Sequence, residues 1–227
     1  MDWFFDNIEK DIPFGYARFN DGEMIGIGES NTFVARGDQY VTEGLSSALK
    51  KSIMHKQDNY FIGIPCSLCY GYHNKVANQI IGEYKYLTSA VATTNRNWKD
   101  FIEKFPSTVK GKDIIWIGGK DQKVEALKEM GLNIVKTVLV PQVNSWEFYE
   151  QIKQKVPAYF KEGQIVCISL GPTARVLVQE WFEEYPDMTF IDIGSNMDPF
   201  TRGVRHKCHI GWEETGFNVA NPCKECN

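Results

Sequence analysis

No apolar run in the 227 residues approaches the roughly 20 needed to cross a bilayer, and the start, Met1-Asp2-Trp3-Phe4-Phe5-Asp6, lacks the basic opening of a signal peptide. Both absences lead us to expect a cytoplasmic protein with no membrane span. Positive charge is not in excess: the formal net charge of −4 argues against wholesale coating of nucleic acid. The local run Arg202-Gly203-Val204-Arg205-His206-Lys207 is a solvated loop or a small patch for an anionic partner. There is no internal repeat, no low-complexity linker, and no P-loop or dinucleotide fingerprint. The six cysteines, in a chain without a secretory address, are better explained by reduced thiols or metal than by a disulfide framework.

What is present is enough apolar side chain, 43%, to bury one substantial core. Trp3, Phe4, Ile8 and Ile12 form an apolar stripe at helical spacing that ends at Pro13. Thr42 is placed to cap a helix carrying Leu45, Leu49 and Ile53, and an apolar strand spans 60–64. A helix over 72–84 turns Val76, Ile80 and Ile81 inward; another carries Trp98, Phe101, Ile102 and Phe105 and is expected to close at Pro106. Beyond it, strands over 113–117, 134–140, 165–169 and 190–193 alternate with helices over 123–130, 146–156 and 173–184. Gly118-Gly119 reads as the turn after the first of these strands. Strands apolar on both faces, alternating with helices, specify an α/β fold: a Rossmann-like, mainly parallel sheet with helices on both faces. The expected organisation is one domain over residues 1–200 and a Cys-rich tail over 201–227 packed on it.

In such a sheet ligands collect where strands end and helices begin. The most charged of these places follows a strand over 16–19. In Arg18-Phe19-Asn20-Asp21-Gly22-Glu23 two carboxylates flank a glycine, which suits a hard divalent cation bound through oxygen. Arg18 adds a planar fork for phosphate oxygens. The glycine-spaced segment 25–30 reads as a flexible loop that wraps a ligand. Asn144 and Ser145 precede a helix, where the plain reading is capping, and Gly171-Pro172-Thr173 opens another, presenting backbone amides and a hydroxyl at a positive helix end. Two CxxC pairs, Cys66/Cys69 and Cys223/Cys226, have knuckle spacing for a structural zinc, with His206, Cys208 and His209 as alternative ligands and buried thiols as the competing reading. Cys167, inside an apolar strand, is core.

Arg-Phe-Asn-Asp-Gly-Glu resembles the Arg-Phe-Gly-Asp-Gly-Glu motif of the GT-D fold glycosyltransferases, a family first known as a domain of unknown function. Pro141 to Asn144, Gly171-Pro172-Thr173 and Asp192-Ile193-Gly194 resemble further segments of that family, in the same order. Two positions depart from it: Asn20 stands for a glycine, and Ser195 stands where a histidine often follows the glycine. The resemblance covers residues 1 to about 200 and leaves the Cys-rich tail outside. It implies a transferase that moves a sugar, hexosyl or pentosyl, from a nucleotide diphosphate, UDP first, to an acceptor hydroxyl. In it the Asp-x-Glu motif, here Asp21 and Glu23, holds Mn²⁺ or Mg²⁺. Arg18, Asn20, Gly22, Asn144, Gly171, Pro172 and Thr173 would bind the donor, and Asp192 and Asp198 are the candidates for accepting the hydroxyl proton. The acceptor would be a glycan, a glycoprotein or a modified DNA base, in a bacterial or virus-infected cell. The competing class is a non-catalytic nucleotide-binding module or a zinc-stapled nucleic-acid adaptor.

Overall fold

Residues 114–119 are buried at every position, as are 165–168, so both strands must be covered on two faces. The computed structural model, which describes residues 1–34 and 39–205, places them inside a seven-stranded sheet. In chain order the strands are β1 (Gly15–Arg18), β4 (Tyr60–Ile64), β5 (Leu87–Ser89), β6 (Ile114–Gly119), β7 (Ile134–Val140), β8 (Ile165–Ile168) and β9 (Thr189–Asp192). Their spatial order is β5-β4-β1-β9-β8-β6-β7, and every pairing is parallel. A separate antiparallel hairpin joins β2 (Thr32–Val34) to β3 (Gln39–Val41).

Alternate side chains of the strands feed two cores. One holds Ala17, Ile62, Ile115, Ile117, Val166, Ile168 and Phe190 under α2 (Asp21–Gly28), α3 (Glu43–Met54), α4 (Gly71–Ile81), α7 (Tyr149–Lys155) and α8 (Pro172–Glu184). The other holds Tyr16, Trp116, Cys167 and Ile191 under α1 (Asp2–Glu9), α5 (Trp98–Thr108), α6 (Glu125–Glu129) and α9 (Asp198–Thr201). The chain leaves β6 through α6 on one face and β8 through α8 on the other, moving in opposite directions. At such a reversal the carboxyl ends of the strands frame a crevice. No helix among the described residues is long and apolar enough to cross a membrane.

Three local expectations are corrected. Most of segment 25–30 is not a loop, since α2 runs through Gly28 and only Glu29 and Ser30 lie beyond it. Gly26 serves there as a packing surface: a Cβ on it would lie 3.1 Å from Val41 Cγ2. Gly118 and Gly119 are the last residues of β6, opposite Leu139 and Val140, rather than a turn. Their lack of side chains admits neighbours, because a Cβ on Gly118 would fall 1.9 Å from Gln122 Oε1. Pro106 lies inside α5, which continues to Thr108; so near the carboxyl end a proline removes one backbone bond without breaking the helix core. Thr42 does cap α3, its hydroxyl accepting from the Leu45 amide at 3.2 Å.

Candidate active site

β1 and β9 are neighbours, so Arg18 and Asp192, their last residues, meet at the carboxyl edge. Asp192 has no solvent exposure. Its Oδ2 accepts from the Arg18 amide at 3.2 Å, and faces Arg18 Nε at 3.5 Å and Arg175 Nε at 3.1 Å. Arg175 projects from the first turn of α8. It donates through Nε to the Arg18 carbonyl at 2.6 Å and through Nη1 to the Gly171 carbonyl, and its Nη2 pairs with Glu23 Oε1 at 3.2 Å. The other Glu23 oxygen accepts from the Asn20 amide at 3.0 Å, capping α2. Two arginines and two carboxylates thus form one buried, charge-balanced cluster that ties together β1, β9, α2 and α8.

A buried ion pair adds little net stability, but removing one partner strands a charge in low dielectric. The cluster therefore fixes geometry more than it stabilises the fold. Gly194 is part of that geometry: its φ is +52°, and a Cβ there would fall 1.7 Å from Arg18 Nη2. Only glycine leaves room for the guanidinium.

The predicted site residues fall into three groups. Asp21, Asn20 and Gly22 sit half-buried at the start of α2, where the positive helix end favours the Asp21 carboxylate. Glu23 is two residues further on, buried, with both oxygens engaged. The two carboxylates stand on a helical backbone, and their side chains meet different surroundings. A second group braces the crevice from inside. Asn144, at φ +52°, accepts from the Tyr40 amide at 2.8 Å and so anchors β3. Thr173 is fully buried, its Oγ1 hydrogen-bonded with Ser145 Oγ at 2.9 Å, while Ser145 Oγ also donates to the Leu170 carbonyl at 2.8 Å. In this geometry the Thr173 hydroxyl is engaged inward rather than presented to an anion. Gly171, with φ +52°, and Pro172 shape the entry to α8.

The third group lies over the end of β6. Asp198, buried at the start of α9, pairs with Arg202 Nη1 at 3.1 Å, and Arg202 Nε faces Asp121 at 2.6 Å. Arg202, expected in an open basic run, is engaged by two carboxylates. Beside it, Trp116 Nε1 donates to Gln122, Gln122 Nε2 to Ser169 Oγ, and Ser169 to the Gly194 carbonyl, at 2.9, 2.9 and 2.7 Å. That relay links β6, β8 and the turn after β9.

Sequence reasoning missed Arg175, Gln122, Ser169 and Gln39. Gln39 from β3 donates to the Gln142 carbonyl at 2.8 Å and lies against Gly171. The signal for Arg175 was its place: a charge in a helix whose neighbours, Ala174, Val176 and Leu177, are all apolar.

Of the cysteines, Cys66 is buried and Cys69 exposed at the carboxyl end of β4, while Cys223, Cys226, His206, Cys208 and His209 lie outside the described residues. Cys167 is core, and burial pushes its thiol up to about 12. Among the described residues no group of three or more His, Cys, Asp or Glu could hold a metal ion by itself. A cation shared with a diphosphate needs only one or two protein carboxylates. Asp21 meets that requirement; Glu23 meets it only by releasing Arg175.

The fold is that of a glycosyltransferase family. The sequence profile of the glycosyltransferase GT-D fold family matches residues 72–216, and the chain belongs to that family. The matched stretch contains Asn144, Gly171, Thr173, Asp192 and Asp198, and Asp21 and Glu23 precede it. Among solved structures the chain is similar to a glycosyltransferase of domain of unknown function 1792 from Streptococcus sanguinis, with TM-score 0.69 and 19% identity over 91% of this chain and 85% of that one. It is also similar to a second structure described as that domain having a distinct glycosyltransferase fold, with TM-score 0.66 and 16% identity over 93% of this chain and 79% of that one. At these identities the likeness is one of fold. No curated protein matches the chain.

Proposed function

We propose that the protein transfers a glycosyl group from a nucleoside diphosphate sugar, UDP-linked, to an acceptor hydroxyl, with Mn²⁺ or Mg²⁺ as cofactor. One observation carries this reading: a charge-balanced arginine and carboxylate cluster lies under the carboxyl edge of the sheet, with Asp21 half-exposed above it.

Breaking the bond between sugar and diphosphate puts negative charge on phosphate oxygens, and fixed positive charge nearby lowers that barrier. Asp21 would hold the cation, which supplies Lewis-acid stabilisation of the departing diphosphate. Arg18, at the end of β1 with its guanidinium against Gly194, would reach the same oxygens only by opening towards the edge from its pair with Asp192. Glu23, Asp192 and Arg175 are positioning residues that fix Arg18 and the first turn of α2. Asp192 without solvent exposure and Asp198 in its pair with Arg202 serve in this arrangement as structural charges; the acceptor hydroxyl does not reach Asp192. Asn20 and Gly22, at the start of α2, and the Gly171-Pro172-Thr173 turn, braced by Asn144 and Gln39, shape the donor pocket.

The test is release of nucleoside diphosphate from a panel of nucleotide sugars, read by mass spectrometry. The expected result is manganese- or magnesium-dependent release from a uridine donor, falling about a hundredfold or more in Asp21→Asn. Release that persists in Asp21→Asn with chelator, or no release from any donor, overturns the proposal; oligonucleotide binding with a steep salt dependence and no turnover would point to the adaptor instead.

A further inference from the structure

A relay of buried hydrogen bonds runs under the carboxyl edge, and the chemistry of its two ends fixes its direction. The Trp116 indole can only donate, and it does so to Gln122 Oε1 at 2.9 Å. The other end of that amide, Nε2, is therefore the donor to Ser169 Oγ at 2.9 Å. The Ser169 proton is left for the Gly194 carbonyl, 2.7 Å away, which can only accept. Trp116 has no solvent exposure, Gln122 4% and Ser169 5%. So little water reaches these side chains that a bond lost here leaves its partner unpaired. Gly118 makes room for the relay, since a Cβ on it would lie 2.9 Å from Trp116 Nε1.

The relay ends on the residue that walls in Arg18. Ser169 holds the Gly194 carbonyl, while the Gly194 Cα lies against the Arg18 guanidinium, where a Cβ would fall 1.7 Å from Nη2. The turn they share is short. The Asn196 amide closes it on the Ile193 carbonyl at 3.2 Å, and Asn196 Nδ2 ties its far end to Thr93 Oγ1 at 2.8 Å, so Ser169 completes the bracing from the sheet side. Arg18 Nε stands 3.5 Å from Asp192 Oδ2, longer than the about 2.7–2.9 Å of a strong charged hydrogen bond. That pair alone does not fix the guanidinium, and the wall at Gly194 shares in placing it.

We propose that Ser169 is a positioning residue for Arg18. By pinning the Gly194 carbonyl it keeps the turn against the guanidinium, and so sets the place from which Arg18 opens towards the diphosphate. Ser169 Oγ is buried and bonded on both sides, so its effect on donor binding passes through Arg18. Trp116 and Gln122 keep its proton aimed at Gly194. This rests on the glycosyltransferase reading, in which Arg18 meets the donor diphosphate.

Calorimetric titration of UDP, with manganese present, into the full chain and into Ser169→Ala, Arg18→Met and the double variant tests it. Ser169→Ala should weaken UDP binding about tenfold, the scale of a buried group left unpaired. In the Arg18→Met background the same change should alter UDP affinity less than about twofold, because the residue it acts through is gone. Manganese binding without nucleotide, read by electron paramagnetic resonance, should stay within about twofold in Ser169→Ala, since the carboxylate of Asp21 is untouched. A crystal structure of Ser169→Ala, which needs no second variant to fold, should show the Gly194 carbonyl turned and the Arg18 guanidinium shifted. An equal loss of UDP affinity in both backgrounds, no loss in Ser169→Ala, manganese binding weakened as much as UDP binding, or Arg18 unmoved in the crystal overturns the positioning role. If wild-type protein neither binds UDP with manganese nor releases nucleoside diphosphate from any donor, the glycosyltransferase reading fails first and the role falls with it. UDP binding that Ser169→Ala leaves unchanged sinks the role alone.

Discussion

Arg175 touches four segments that are far apart in the chain: β1 through the Arg18 carbonyl, β9 through Asp192, α2 through Glu23, and the turn at Gly171. Arg175→Met would leave two carboxylates in a dry interior short of a counter-charge. The expected loss is about 3–5 kcal/mol, which calorimetry would read as a melting temperature lowered by roughly 6–20 °C in a chain of this size. Pairing it with Glu23→Gln should restore part of that loss, because one stranded charge goes with it. Additive losses in the double variant would contradict the ion pair. Glu23→Gln and Asp21→Asn should also separate, although the sequence presents them as twins. The first perturbs stability and activity together; the second lowers the melting temperature by no more than about 3 °C, the loss of a helix-end charge, and removes activity. Equal thermal shifts for both would show that Glu23 is not the buried anchor seen here. Gly194→Ala should displace Arg18, since the added methyl would sit on its guanidinium; a crystal structure of that variant with Arg18 unmoved would contradict the packing.

At the scale of elements, legibility tracked burial. β6 and β8 were readable because they are apolar on both faces, and α3 because Thr42, Leu45, Leu49 and Ile53 give cap and stripe together. α2 was not readable. Its Gly22, Gly26 and Gly28 suggest a loop when counted as flexibility, while at Gly26 the small residue allows close approach to Val41. The helix is held by packing and its capping carboxylate rather than by propensity. The same holds for the site. Arg18, Asp21 and Glu23 stand out in sequence because charge is packed among apolar residues. Arg175 carries a local signal, a charge among apolar helix neighbours, but its partners, like those of Gln39, are set only when β1, α8 and the β2–β3 hairpin come together. The hairpin invites its own check: Asn144→Ala removes the acceptor for the Tyr40 amide, so hydrogen exchange at β3 should quicken while β8 stays protected. Unchanged exchange at β3 would mean that Asn144 does not anchor it.

For the whole molecule, the two cores respond to alkali together. Burial raises the Cys167 thiol from 9.0 to about 12, and burial followed by the hydrogen bond to Glu180 raises the Tyr149 phenol from 10.0 to about 12. Buried Tyr16 and Tyr60 are raised as well, by desolvation. Each group stays neutral in the folded chain at a pH where the unfolded chain would lose the proton. Their contribution to stability is therefore complete below about pH 9 and declines as pH rises from about 9 towards 12. Urea midpoints across that range should fall steadily, and a midpoint that holds to pH 11 would contradict the burial of these groups.

The same architecture sets charge where the strands end: a neutralised cluster below, one half-exposed carboxylate above. The central claim is that Asp21 brings a divalent cation to a diphosphate at this edge. Manganese binding followed by electron paramagnetic resonance, with and without UDP, tests it most directly. The account predicts that UDP tightens manganese binding to the wild-type chain and that Asp21→Asn abolishes this tightening without altering the fold. Equal UDP-linked manganese binding in both proteins would contradict it.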